Sequence, residues 1–297
     1  MKTTTVIDIT PSSNSTNGWI NGFIGVFLFS GSMPATKVAV IEMDPLFVTA
    51  SRAGIAGVLA LICLLIFKEI KPTKAQLLPL GIVAIGGVIG FPLLSALALQ
   101  YITSAHSLVY LGILPMCTAV FAVIRGGEKP KGIFWLFSIL GSLLVIGFAV
   151  LQGGTSSPLG NILMIIAILL CGLSYAEGAK LSKSLGGWQV ISWAVVLSLP
   201  ISLPIMFITA PATPEFISID AWIGVAYLGV FSMFVGFIFW YKGLAQGGIA
   251  SVGQLQLLQP FFGLALAAYL LNEHVSSSMI LVTLGVILCV AGSKKFG

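Results

Sequence analysis

Side chains able to do chemistry are rare inside the long apolar runs of this chain, and their types restrict what that chemistry is. Arg52 lies about seven residues, or about 10 Å, into one run, and Lys37 lies near the end of the run before it. As a basic pair they attract an anionic group or form gate salt bridges with Glu42 or Asp44. The plainer reading is that both snorkel to the nearest polar interface. His106 and Tyr110 are spaced i, i+4 and share a helix face. An imidazole exchanges protons near neutral pH. Tyr175 and Glu177 come late in a later run, and Glu177 is the carboxylate placed inside a run. It is the acidic candidate for proton coupling, or a local i, i+3 partner of Lys180.

Amides crowd one stretch, "SVGQLQLLQPFFGLALAAYLLNE", Ser251 to Glu273. At 100° per residue, Gln256 and Gln259 are about 60° apart, while Gln254 is about 160° from Gln256. Gln256 and Gln259 are therefore expected to face a cavity together, and Gln254 to bond a neighbouring helix. Pro115 and Pro260 each remove a backbone hydrogen bond and are expected to kink a helix at mid-length. The kink is either a hinge that frees a carbonyl for a ligand or a static feature of packing. Trp240 and Tyr241 read as an interfacial aromatic pair, or as the lining of an inner vestibule.

What must position these groups follows from composition. The 297 residues are 58% hydrophobic and 8% charged, with mean hydropathy +1.09. A soluble domain carries about 25% charge. Too little polar surface exists here to face water, so the solvent is lipid, and continuous runs near 20 residues favour helices over a barrel. Ten apolar segments are read, at 18–40, 46–67, 77–99, 103–124, 132–151, 159–180, 187–209, 221–243, 248–271 and 276–293. The polar first 17 residues are expected to be disordered.

With the N-terminus in the cytoplasm, the inner loops and tails collect Lys2, Lys68, Lys71, Lys74, Arg125, Lys129, Lys131, Lys180, Lys183, Lys242, Lys294 and Lys295. The outer loops hold only acids: Glu42, Asp44, Glu215, Asp220 and Glu273. Both termini are thus placed inside. The basic balance reports orientation rather than nucleic-acid binding. The four cysteines sit in apolar runs with no metal or disulfide spacing. No zinc-protease, P-loop, serine-elbow or dinucleotide motif is present, so neither an enzyme nor a cofactor is expected.

The sequence also repeats. At an offset of 145 residues, Ala105 falls on Ala250, Pro115 on Pro260 and Glu128 on Glu273; one residue off that offset, Leu140–Gly141 falls on Leu284–Gly285. Each copy holds five segments, an odd number, so the second must enter the membrane from the opposite side. This predicts two inverted halves, 18–151 and 159–295, with a substrate site near the midplane between them.

With "FSGSMPATK" closing the first segment, "DPLFVTASR" opening the second, and the repeated pattern of Ala, Pro and Glu followed by Leu-Gly, the chain resembles the EamA-like family of the drug/metabolite transporter superfamily. The resemblance covers essentially everything after residue 17. It implies an all-α integral membrane protein of ten helices in two inverted five-helix repeats, with the fifth and tenth peripheral and the others around a cavity. It implies an alternating-access transporter exporting a small metabolite, an amino acid or related amphipathic compound, across a bacterial inner (plasma) membrane. A passive facilitator and a drug efflux carrier are the alternatives. The Trp-Gly pair common in the family's first span reads Ser30–Gly31 here. Candidate substrate contacts are Gln256, Gln259, Tyr110, Tyr175, Arg52 and Trp240. Candidate coupling or gating residues are Glu177, His106, Lys37, Pro115 and Pro260. A proton or an exchange substrate is the coupling partner expected, and the chain is left as monomer or homodimer.

Overall fold

In a computed structural model the apolar runs fold as helices. The structure describes residues 14–102, 107, 110–151, 157–263, 265 and 277–296, and among them no strand occurs. In chain order the helices are α1 (Asn14–Ser30), α2 (Ser32–Glu42), α3 (Pro45–Ile66), α4 (Lys74–Tyr101), α5 (Leu114–Ile124) and α6 (Gly132–Leu151). Then follow α7 (Pro158–Leu185), α8 (Gly187–Ile208), α9 (Ile219–Gly247), α10 (Ile249–Gly253) and α11 (Ser277–Phe296). Helix α1 begins at Asn14, within the stretch expected to be disordered. Among the described residues six stretches are long and apolar enough to cross a membrane: Thr16–Glu42, α3, α4, α7, α8 and α9. Shorter apolar helices accompany them, at Leu114–Ile124 and Gly132–Phe148.

The ends of these helices are written into the sequence. Asp44 caps α3 by accepting from the Leu46 amide at 2.7 Å, with Pro45 at the first position, where its missing N–H costs nothing. Thr73 and Gln76 form a capping box at α4. Helices α9 and α10 are separated by Gly248 alone, whose φ of +91° is strained for any residue with a Cβ. The exposed α10 amides are then taken by a distant side chain. Ile249 and Ala250 donate to the two Glu128 carboxylate oxygens at 2.7 and 2.8 Å.

Two long helices widen at their centres. Helix α4 becomes π-helical over Ala84–Gly90, and α9 over Leu228–Val235. A π turn leaves the backbone locally under-bonded and is a frequent companion of functional sites. Two other elements tighten. The Ile113 amide donates to Tyr110 O at 2.9 Å just before Pro115, and a 3-10 turn, Gln254–Leu258, precedes Pro260. The expected kinks are therefore of another kind. Pro115 sits at the start of α5 after a turn at 112–113, so the run expected as one helix over 103–124 is broken, not bent. Pro260 lies in the helical segment 259–263 that resumes after the 3-10 turn. The reason is common to both: a proline ring clashes with the carbonyl four residues back, and tightening the preceding turn moves that carbonyl aside.

Helix α1 packs on the second half of α9, α3 on α8, α4 on α7, α5 on both α7 and α10, and α6 on α11. The first contact is backbone to backbone. A Cβ on Gly243 would stand 2.5 Å from Gly22 N, and one on Gly18 2.4 Å from Gly247 N. Small residues four apart on both helices permit this approach. Helices α6 and α11 bury Val145, Phe148, Val286 and Val290 and expose Leu136, Leu143, Leu281 and Leu288 on the other side. Exposed aliphatics on this scale suit hydrocarbon rather than water.

Candidate functional site

The two π turns approach one another at a small cavity, where Gly87 of α4 and Ser232 of α9 form part of the wall. Its polar groups are Ser32, Arg52, Tyr175, Ser232 and Gln259. Phe29, Met33, Phe91, Leu114 and Phe237 supply much of the rest. The free space is about 30 Å³, room for a water or two. The cavity is thus closed down around its polar groups.

Arg52 dominates the electrostatics. It is 5% exposed, and its Nη2 donates to Ser232 Oγ at 3.1 Å. Ser232 Oγ in turn meets Ser32 Oγ at 2.8 Å. The Arg52 Nε–H has no hydrogen-bond partner. Snorkelling is excluded by its burial. The acids expected beside it are committed elsewhere: Glu42 accepts from Ser218 N and Oγ at 2.7 and 2.6 Å, and Asp44 caps α3. Lys37 also misses them. Its Nζ donates to Leu99 O at 2.9 Å, in the last turn of α4, where a cation complements the helix dipole. The expected gate salt bridges of Lys37 and Arg52 with Glu42 or Asp44 do not form.

The amides also depart from expectation. The 100° geometry does not apply to a 3-10 turn, in which residues three apart eclipse. Gln259 lines the cavity and its Nε2 donates to Phe29 O at 3.3 Å. Gln256 is buried one turn back, beside the Tyr175 hydroxyl, and makes no hydrogen bond with either amide atom. Gln254 is fully buried and equally unpartnered, so the neighbour bond expected of it is absent. Trp240 and Tyr241 are fully buried, which overturns the interfacial reading. The Trp240 ring packs on Tyr175 and Phe29, with centroids 5.4 and 6.1 Å apart, behind the cavity wall. Tyr241 Oη meets Ser174 Oγ at 3.3 Å.

Glu177 is 2% exposed and pairs with Arg125 at the end of α5, not with Lys180 on its own helix. Lys180 is exposed. Tyr110 is partly buried against the core but is not part of the cavity wall. His106 lies outside the described residues. Ser32, Met33, Ser232 and Phe237 also line the cavity; Ser32 and Met33 lie within "FSGSMPATK", and nothing in the sequence marks Ser232 or Phe237.

A larger open crevice of about 350 Å³ lies beside Trp19, Glu128, Lys129 and Lys294. Glu128 is already spent on α10 and Lys294 lies over the Trp19 ring at 4.9 Å. Among the described residues several buried hydroxyls and amides lack partners, but the unpartnered donor that carries a charge, Arg52 Nε, is at the central cavity.

Comparison with known proteins agrees with a membrane transporter. The sequence model of the EamA-like transporter family matches residues 16–151 and again 158–293. A Bacillus subtilis (strain 168) protein named "Uncharacterized transporter YdeK" is 60% identical over 284 residues, covering 96% of this chain and 99% of its own. An "Uncharacterized transporter" of Archaeoglobus fulgidus is 23% identical over 84% of this chain and 87% of its own. A solved crystal structure, 16% identical, shares the fold with a TM-score of 0.78 over 95% of this chain and 99% of its own.

Proposed function

This chain belongs to the EamA-like transporter family, and we propose that it is a secondary transporter exporting a small metabolite, an amino acid or related amphipathic compound, across a bacterial plasma membrane. The proposed frame is ten spans in two inverted halves, 18–151 and 159–295, with both termini in the cytoplasm.

One observation carries this reading: residues related by the repeat meet across the central cavity. Gly87 and Ser232, and likewise Leu114 and Gln259, stand 145 residues apart and line it together. Met33 and Tyr175 also line it, 142 residues apart, which is the spacing between the starts of the two family matches at 16 and 158. A pseudo-two-fold axis runs where mates meet. Gly87 and Ser232 are near the middles of Lys74–Tyr101 and Ile219–Gly247, which supports an axis at mid-span. A cavity on that axis is the place both halves reshape equally when they rock, which is what alternating access needs. The π turns on either side supply soft backbone there. On this reading proton coupling runs through Glu177, whose protonation would release Arg125, or through His106.

The test is counterflow in proteoliposomes with a panel of labelled amino acids. Saturable flux, accelerated by substrate on the far side and abolished by Leu114→Trp, is expected. Linear, unsaturable flux would indicate a channel instead. Flux that survives Leu114→Trp would move the site out of this cavity. Coupling fails separately if Glu177→Gln and His106→Asn both leave pH-driven flux unchanged.

A further inference from the structure

We propose that the transported compound is a carboxylate with an apolar or aromatic body, and that Arg52 receives its carboxylate inside the central cavity. The inference rests on the transport reading above and names the substrate class of that same site.

Among the described residues Arg52 is a buried cation without an anion. Arg52 is 5% exposed, well inside α3, and the ion pair found among the described residues, Arg125–Glu177, does not involve it. A guanidinium stays protonated in proteins, so it does not escape burial by losing its charge. A buried charge without a counterion is strongly unfavourable, more so among helices in lipid. Among the described residues one hydroxyl, Ser232, relieves it, and its Nε–H finds no acceptor. The fork is thus half used, and it forms part of a cavity wall.

The chemistry of the missing partner follows from the count of donors. Guanidinium matches the two oxygens of a carboxylate in a bidentate pair. A phosphate brings up to two charges and three oxygens, and the wall offers one cation with the hydroxyls of Ser32 and Ser232 beside it. One negative charge is the balanced load. Beyond those hydroxyls the wall turns to Phe29, Met33, Phe91 and Phe237, which suits an apolar body attached to the carboxylate once the closed cavity opens to admit it.

The experiment uses the purified full-length protein and three matched pairs of probes: 3-phenylpropionate and 3-phenylpropionamide, benzoate and benzamide, phenylalanine and phenylalaninamide. Thermal unfolding and tryptophan fluorescence read binding at millimolar concentration. At least one carboxylate is expected to raise the melting temperature where its amide does not. Arg52→Gln should weaken that carboxylate about 10- to 100-fold, as loss of a charged hydrogen-bonded pair does. Arg52→Lys should restore part of it, and Ser232→Ala should weaken it less. A second readout needs no ligand: Arg52→Met should leave the ligand-free protein at least as stable as the wild type, since it removes an uncompensated charge. A purely structural arginine would instead melt lower on substitution.

Amides that bind as well as acids, with binding lost in Leu114→Trp, would overturn the carboxylate assignment and leave the cavity as the transport site. Binding indifferent to Leu114→Trp would remove the transport site itself from the cavity. No carboxylate response together with a destabilised Arg52→Met would also overturn the proposal.

Discussion

Gly87 and Ser232 occupy corresponding places in two π turns, 145 residues apart, and line the same cavity. Their surroundings are built differently. At Gly87 the backbone itself approaches α7, and a Cβ there would stand 2.4 Å from Ser174 Oγ. At Ser232 there is room for a hydroxyl, which holds Arg52 on one side and Ser32 on the other. The same asymmetry recurs in the other mates, Leu114 against Gln259 and Met33 against Tyr175. The first half presents apolar or absent side chains at these three places, and the second half presents polar ones. On the proposed transport reading, shared backbone irregularity would belong to the frame that moves, and unshared side chains to what is carried.

The largest effect should come from forcing the first π turn to resemble the second. Gly87→Ala puts a methyl group against Ser174 Oγ, which also meets Tyr241 Oη and the Val83 carbonyl. Overpacking of this kind costs about 1–3 kcal/mol, and we expect about 3, read as a lowered midpoint of thermal or detergent unfolding. Combining it with Ser174→Ala removes the Oγ and should recover part of the loss. If the double variant is no better than Gly87→Ala alone, the close approach is not what makes this position a glycine.

The reverse change should cost less. Ser232→Ala leaves the α9 backbone intact but takes from Arg52 its described hydrogen-bond partner. A bond to a charged group is worth about 1.5–3 kcal/mol, and we expect about 2, because some water can enter the cavity in compensation. A loss near zero would mean that Arg52 draws its stability from elsewhere and that the second turn is no more specialised than the first.

A third change probes the frame where the two halves hold each other. Glu128 lies before α6 and caps α10 of the other half through two amides. Glu128→Ala should cost about 1 kcal/mol, the usual worth of a helix cap with its dipole contribution. Glu128→Gln should recover only part of it, because one acceptor oxygen and the charge are both lost. An unchanged unfolding midpoint in both variants would show that the α10 start is held by packing alone.

How much of this was legible beforehand depends on the kind of feature. Span positions follow from unbroken apolar runs, so α3, expected at 46–67, is observed at Pro45–Ile66, and α8, expected at 187–209, at Gly187–Ile208. Arg52 stood out because a charge in an apolar run is conspicuous, and the same conspicuousness marked Glu177. Partners were not legible. Glu177 meets Arg125 across 52 residues of sequence, and a spacing rule sees only Lys180 on the same helix. Trp240 and Tyr241 looked interfacial because their types favour interfaces, but burial is set by which way α9 is rotated. That rotation is fixed by Gly243 and Gly247 against α1, a contact between residues more than 200 apart in sequence. The π turns were invisible, since a wider turn leaves no mark in the residue types of "AIGGVIG" and "LGVFSMFV" that an ordinary helix would lack.

The smallest effect separates two glutamines that the sequence treats alike. Gln256 lies in the 3-10 turn, and Gln259, three residues on, opens the helical segment that follows it. Gln259 donates to Phe29 O and faces the cavity, whereas both Gln256 amide atoms are buried without a partner. An unpartnered buried amide already bears its desolvation penalty, so replacing it with an apolar group of similar size removes a cost rather than a bond. Gln256→Leu should therefore shift stability by no more than about 0.5 kcal/mol, and in the stabilising direction if in either. Gln259→Leu should cost about 1 kcal/mol, because it strips a bonded amide from the wall. If Gln256→Leu proves the more damaging of the two, the amide is meeting a polar partner in another state of the carrier. The polar lining would then extend past Gln259 toward Tyr175, enlarging the asymmetry between the halves rather than reducing it.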